Sequence, residues 1–209
     1  MARILLTAGP TRAYVDDVRF LTNASSGRMA AAVARAALAA GHDVTIVSGP
    51  VQLTYPNAAR VVPVVTTGEM LAASLAELPR CDGVIAAAAP CDFEPRRRVA
   101  GKIPRQGTSL RLDLEPTPDV IATLARKGAK RQWFVAFALE PGADPRRAFA
   151  KIEAKRCDLI VVNDVTAIEA SRTAVTVYDR AHATVGTKAG TKRAVAAWLV
   201  RLIGTRLID

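Results

Sequence analysis

Only three cysteines and two histidines occur in the chain, and no cysteine pair has the spacing of a metal motif. A zinc site is therefore excluded as an organising feature. Cys81, Cys91 and Cys157 are odd in number and far apart. They read as buried or incidental thiols, because a free cysteine packs as a small apolar residue. Neither histidine accompanies a cysteine in a recognisable way, which argues against a covalent enzyme thiol. Aromatic residues make up 5% of the sequence, too few for a platform that stacks nucleic-acid bases. The longest apolar run, Met29 to Ala40, is broken by Arg35 and is too short to cross a bilayer. No basic segment followed by an apolar stretch and a cleavage site opens the chain, so a cytoplasmic location is expected. Neither GxGxxG nor a Walker A loop is found, so a plain dinucleotide or P-loop assignment lacks its fingerprint.

What is present is a chain of 209 residues, 50% hydrophobic and 23% charged, enough for one compact domain spanning 1–209. Its net charge is +10. That charge suits nucleic acid or small polyanionic ligands. The basic residues are dispersed apart from Arg96–Arg98 and Lys127–Arg131, and no DNA- or RNA-binding signature accompanies them, so small anions are favoured.

Apolar β-branched runs alternate with helical patterns. Strands are expected at Arg3–Ala8, Val44–Val47, Arg60–Val65, Gly83–Ala89, Ser109–Leu114, Trp133–Leu139 and Leu159–Val162. Helices are expected over Arg28–Ala40, from Thr67 to Leu78, from Pro118 to Lys127, over Pro145–Lys155, and from Thr191 to Leu202. Ser is expected to cap the first helix and Gly41 to close it. Residues 91–108, rich in Arg, Gly and Pro, read as an irregular flap. Ala174–Tyr178 and Ala183–Gly186 read as an antiparallel hairpin. The pattern implies an α/β fold: a doubly wound, mainly parallel, Rossmann-like sheet with a small hairpin near the C-terminus.

In such a sheet ligands bind beyond the carboxyl ends of the strands, and four loops there carry chemistry. Thr7–Thr11 follows the first strand. Asn23–Gly27 enters a helix, where backbone N–H groups and serine hydroxyls suit an anion, or simply cap the helix. Ala86–Phe93 offers small residues that let a ligand reach the backbone. Its Asp92 suits a metal or a ribose hydroxyl, or is merely exposed. Asn163-Asp164 ends a buried strand, where polar groups contact a ligand or cap a helix. Arg96–Arg98, Lys102 and Arg105 make either a cationic flap near phosphates or a solvated loop.

These stretches also resemble a known family. LLTAGPTRAYVDDVRFLTNASSGRMA, DVTIVSGP, AAAAPCDFEP, GKIPR, PTPDVIATL, FVAFALE and DLIVVNDVT are similar, in order and spacing, to the phosphopantothenoylcysteine synthetases, also called phosphopantothenate–cysteine ligases. The resemblance implies that 4′-phosphopantothenate is joined to cysteine through an acyl-nucleotide made from CTP, or from ATP in some relatives, with Mg²⁺. It implies that Asn23 handles the intermediate and that Arg19 binds it or steadies a dimer-bordering loop, with Ala88 also on the substrate side. Gly9, Ser25, Ser26, Gly27, Ala89, Asp92, Phe93 and Phe137 would surround the nucleotide. Asp92 is the metal candidate, and Lys102 would neutralise triphosphate charge. Asn163 and Asp164 lie in the matching NDV motif. Three positions depart from the family pattern. Pro104 stands in a cluster usually of the KIKK kind, Cys91-Asp92-Phe93 replaces an Ala-Asp-Tyr type run, and Thr117 replaces an Asn. Many relatives carry an N-terminal flavin decarboxylase domain. This chain reads instead as a stand-alone ligase or a fragment without flavin, a homodimer served by a separate decarboxylase. No nucleic-acid or membrane partner is expected. The alternative is a non-catalytic or NAD(P)-dependent nucleotide-binding protein on the same sheet.

Overall fold

The computed structural model describes residues 1–105, 107, 109–140, 145–163 and 171–208. Its strands are β1 (Arg3–Ala8), β2 (Arg12–Tyr14), β3 (Phe20–Thr22), β4 (Asp43–Ser48), β5 (Arg60–Pro63), β6 (Gly83–Ala86), β7 (Phe93–Pro95), β8 (Leu114–Pro116), β9 (Trp133–Leu139), β10 (Leu159–Asn163), β11 (Arg172–Asp179) and β12 (Thr184–Thr191). Its helices are α1 (Arg28–Ala39), α2 (Thr67–Glu77), α3 (Val120–Lys127), α4 (Pro145–Lys155) and α5 (Lys192–Ile203). Eight strands form one sheet in the order β12-β11-β10-β9-β6-β1-β4-β5. All pairs from β10 through to β5 are parallel, and β11 and β12 are antiparallel at one edge. The expected α/β architecture is therefore present, and the late hairpin extends the main sheet instead of standing apart.

The central strands are buried on both faces, which is why they are continuous apolar runs. Alternation sends Ile4, Leu6 and Ala8 of β1 to one face and Leu5 to the other. On the first face lie α1 and α5, through Ala30, Ala34, Ala37, Val195 and Leu199. On the second lie α2, α3 and α4, through Met70, Ile121, Leu124 and Ile152. Leu5 and Leu6 are fully buried, and each such side chain stabilises the fold by about 1.5–3 kcal/mol. The alanine face of α1 lets backbones approach closely without cavities.

The chain crosses from β1 to β4 over one face, then returns from β5 to β6 over the other. The order reverses between β1 and β6, and their carboxyl ends open a crevice there. Two short hairpins, β2–β3 and β7–β8, sit above this edge. Neither was legible in the alternation. β7 lies inside the stretch read as irregular, and the strand expected at Ser109–Leu114 starts only at Leu114. Gly83–Ala89 leaves the ladder after Ala86, though the Ala89 N–H still reaches the Gly9 carbonyl at 2.9 Å. Helix ends moved slightly: Thr66, not Thr67, caps α2 in a capping box with Glu69, and Asp119 caps α3.

Candidate active site at the sheet switch point

The crevice is a cleft of about 510 Å³ at the carboxyl ends of β1, β6, β9 and β10. One wall is the loop into α1, carrying Asn23, Ser25, Ser26 and Gly27. Gly27, not a serine, is the N-cap of α1, and it has no side chain with which to bond the first N–H groups. The serine cap expected from the sequence is therefore absent, and the helix presents its positive end to the cleft. Gly27 has φ +71°, and a Cβ there would lie 2.8 Å from Cγ1 of Val51. Gly9, at φ +70°, meets the same Val51 atom at the same distance. Val51 thus fills the space under both loops, and side chains at either glycine would displace it.

The opposite wall is Ala86–Asp92. Nδ2 of Asn23 donates to the carbonyls of Ala89 (3.2 Å) and Pro90 (2.8 Å), joining the two walls. Behind this strand end is a buried hydroxyl network. Thr11 and Thr67 share a 2.8 Å hydrogen bond, the Cys91 N–H donates to Thr11 Oγ1 at 2.8 Å, and Thr117 Oγ1 donates to the Cys91 carbonyl at 2.5 Å. The Thr117 N–H donates to the Asp92 carbonyl at 2.9 Å. Thr117 thus fixes the backbone beside Asp92. That the three threonines form one network could not be read from the sequence, because their partners are 24 to 80 residues away.

The far wall combines Phe137 of β9, Asn163 of β10, and two lysines of α4, Lys151 and Lys155. These lysines escaped the sequence reading. Their signal was an i,i+4 pair beside the buried Ile152. They reach the cleft because helical side chains lean toward the helix N-terminus. Lys155 Nζ lies 2.5 Å from Asp119, the α3 cap. Lys151 Nζ lies 2.5 Å from the buried Glu140, a charge contact without an aligned hydrogen bond. Each lysine therefore keeps N–H groups for a ligand while its charge is matched.

Of the expected site residues, Asn23, Ser25, Ser26, Gly27, Ala88, Ala89, Asp92, Phe137 and Asn163 line one cleft. Gly9, Arg19, Phe93 and Lys102 do not line it, and Asp164 lies outside the described residues. Gly9 lies beneath it, bonded to Ala89. Phe93 is 55% exposed on β7. Arg19 is turned to the base of the flap, where its guanidinium meets Asp16 (3.1 Å) and the Ile103 carbonyl (3.1 Å). Lys102 adjoins that contact. Arg98 is not a free cation: it binds Asp17 at 2.8 Å and lies over the Tyr14 ring.

Burial would push the Asp16 carboxyl up, but the amides of Val18, Arg19 and Ile103 and the Arg19 charge outweigh it and hold it below the usual carboxylate range. Asp17 is likewise held down, first by the Gly101 amide and then by Arg98. All three cysteines are buried. Burial pushes the Cys81 thiol up to about 11 and Cys157 to about 12, so neither supplies a thiolate near neutral pH.

Among the described residues no group of three His, Cys, Asp or Glu side chains is placed to hold a metal. Asp92 offers a single carboxylate at the cleft. That fits Mg²⁺ carried by substrate phosphates, which takes one or two protein carboxylates. No described helix is long and apolar enough to cross a membrane.

Residues 1–207 match the family described as DNA/pantothenate metabolism flavoprotein C-terminal domain. The chain belongs to this family.

The resemblance read from the motifs is borne out by its relatives. The chain is 41% identical over 165 residues to the coenzyme A biosynthesis bifunctional protein CoaBC of Bacillus subtilis (strain 168), covering 78% of this chain and 40% of that protein. It is 37% identical over 210 residues to a cysteine/cysteine sulfinic acid decarboxylase from an unknown prokaryotic organism, covering 97% of this chain and 58% of that one. The chain thus spans about half the length of these curated relatives. The crystal structure of the C-terminal domain of CoaBC superposes with a TM-score of 0.81 at 32% identity, covering 98% of this chain and 96% of that one. The family and fold are shared along essentially the whole sequence.

Proposed function

We propose that this domain is a phosphopantothenate–cysteine ligase of coenzyme A synthesis, working through an acyl-nucleotide. The observation that supports it most is the joining of Asn23 and the glycine-led N-terminus of α1 on one wall of a cleft whose other walls carry Asp92 and two lysines. A carboxylate is a poor electrophile, and an amine will not displace oxide from it. Transfer of a nucleotidyl group from CTP, with ATP as the other candidate, converts it into a mixed anhydride and releases pyrophosphate. The cysteine amine then attacks the acyl carbon and expels the nucleoside monophosphate.

Each wall has a part in this scheme. The α1 N-terminus with Ser25 and Ser26 binds a phosphate. Phe137 packs against the nucleoside, and Lys151, Lys155 and Asn163 donate to its polar groups. Lys102 swings in to offset triphosphate charge. Mg²⁺, held by phosphate oxygens and Asp92, would supply further charge neutralisation. Asn23 gives up one of its two carbonyl partners to donate to the oxyanion that develops as the amine attacks. Ala88 and Ala89 leave room for substrate against the backbone. Arg19 acts through the flap base.

The reading extends to assembly. Val18, Phe20, Leu21, Phe93 and Leu114 are exposed apolar side chains on the two small hairpins. Such a face suits a homodimer, and it favours the Val18–Asn23 segment over the late hairpin as the pairing surface.

Pyrophosphate release tests the reaction. Folded protein is mixed with Mg²⁺, 4′-phosphopantothenate and either CTP or ATP, with and without cysteine. Nucleotide-dependent release, with phosphopantothenoylcysteine appearing only when cysteine is added, is expected. No release with either nucleotide overturns the proposal.

A further inference from the structure

Two acidic residues between β2 and β3 have no part in that chemistry, yet they hold the segment that contains Lys102. Asp16 is fully buried. Its Oδ1 accepts the Val18 and Arg19 amides at 2.8 and 2.7 Å, which closes its own turn. Its Oδ2 accepts the Ile103 amide and the Arg19 guanidinium, both at 3.1 Å. Arg19 in turn donates to the Ile103 carbonyl at 3.1 Å. Asp17 Oδ2 accepts the Gly101 amide at 2.6 Å, and its Oδ1 accepts Arg98 at 2.8 Å. Its own N–H donates to the Gly101 carbonyl at 3.0 Å, and Val99 N–H to the Val15 carbonyl at 3.0 Å.

The amides on either side of Lys102 therefore both end on carboxylates of one turn. Bonds to ionised acceptors are about twice as strong as neutral ones, so the backbone at Lys102 is fixed while its side chain stays free to move. The same turn runs through β3 into Asn23, whose amide closes on the other wall. The base of the flap and the Asn23 loop form one continuous piece of hydrogen-bonded structure.

We propose that Asp16 and Asp17 are positioning residues that present Lys102 and Asn23 to the cleft as a single unit. The proposal rests on the ligase reading for the roles of those two side chains. It also gives Arg19 its place: the arginine completes the joint between turn and flap without touching substrate. An asparagine at either position keeps one acceptor oxygen but turns an NH₂ group toward amides and guanidinium, so the joint loosens without leaving a hole.

The test uses the full chain with Asp16→Asn and Asp17→Asn, each alone and combined with Lys102→Gln. Circular dichroism and thermal melting establish which variants fold; Asp17, half-exposed, supplies the variant that keeps the core intact. Pyrophosphate formation from nucleotide and 4′-phosphopantothenate is followed without cysteine. Each single variant should lower kcat by about 10- to 100-fold, the usual scale for misplacing a catalytic group, with little change in KM. In the Lys102→Gln background the further loss should fall below about twofold, since both changes act through one group. Losses that multiply independently, or a full rate in both single variants, overturn the proposal. Should the unaltered protein use neither nucleotide, the ligase reading fails on its own. Trypsin then reads the joint directly. Faster cleavage after Lys102 in the asparagine variants supports it, and cleavage at the unaltered rate overturns it.

Discussion

The two edges of the parallel sheet each carry a hollow, and the two differ in what surrounds them. The amino edge holds a space of about 710 Å³ lined by Gly128, Lys130, Gln132, Phe134, Arg156 and Arg180, among others. The carboxyl edge holds about 510 Å³. Helix direction separates them. α1 and α3 begin at the carboxyl edge, with their positive ends toward the cleft. α3 and α4 end beside the amino-edge space, where Gly128 and Arg156 follow them. An anion is favoured by the backbone at one edge and opposed at the other. Basic side chains at the amino edge offset carbonyl charge, and Arg180 is already bonded to the Arg156 and Cys157 carbonyls and to Asp158. Size does not separate the two edges; convergence of loops and the direction of the helix ends do, and both favour an anion at the carboxyl edge.

This contrast is sharpest at Asn23. Asn23→Ala should leave acyl-nucleotide formation intact and slow its consumption by about 10²–10³-fold, the usual cost of one oxyanion donor. Isolated intermediate mixed with cysteine in a rapid-quench experiment measures it, and normal consumption removes Asn23 from that role. Lys155→Ala should raise KM for the nucleotide about tenfold, in line with a lost hydrogen bond to a charged group. Because the change also frees the Asp119 cap, melting temperature should be recorded alongside. Gly27→Val should cost about 1–3 kcal/mol of stability, from a left-handed backbone and the clash with Val51. Denaturant unfolding gives the value, and an unchanged midpoint would mean that the loop relaxes freely. At the amino edge, Lys130→Ala and Arg156→Ala should keep kcat and KM within about twofold, as surface changes away from special features do. A large loss there would erase the distinction between the edges. In the same native protein a thiol reagent should leave Cys81 and Cys157 unmodified at pH 7, since their raised thiols stay protonated until pH approaches 11 to 12.

Much of the frame was legible because it is local. A helix shows its period within twelve residues, as α1 does, and a buried strand shows as an unbroken apolar run, as β1 and β9 do. Gly27 and Asn23 could be placed at the cleft because they follow β1 and open α1, and strand ends in this architecture are where ligands sit. The small hairpins were hidden for the opposite reason. Three-residue strands carry too little alternation to register, and β7 pairs with a partner about twenty positions on. Arg19 and Lys102 carried their charge in the sequence but not their direction. Arg19 turns to the flap base because a buried carboxylate waits there.

The sequence by itself determined the alternation of the long strands and helices, because hydrophobic period and capping chemistry act over a few residues, and its motifs carried the family. Tertiary structure alone decided which groups meet. Asp16 finds Ile103 across 87 positions, Thr11 finds Cys91 across 80, and Lys155 finds Asp119 across 36. No local pattern encodes those contacts. They exist because closing the sheet brings distant strand ends together and because a buried carboxylate or hydroxyl must find partners wherever the fold supplies them.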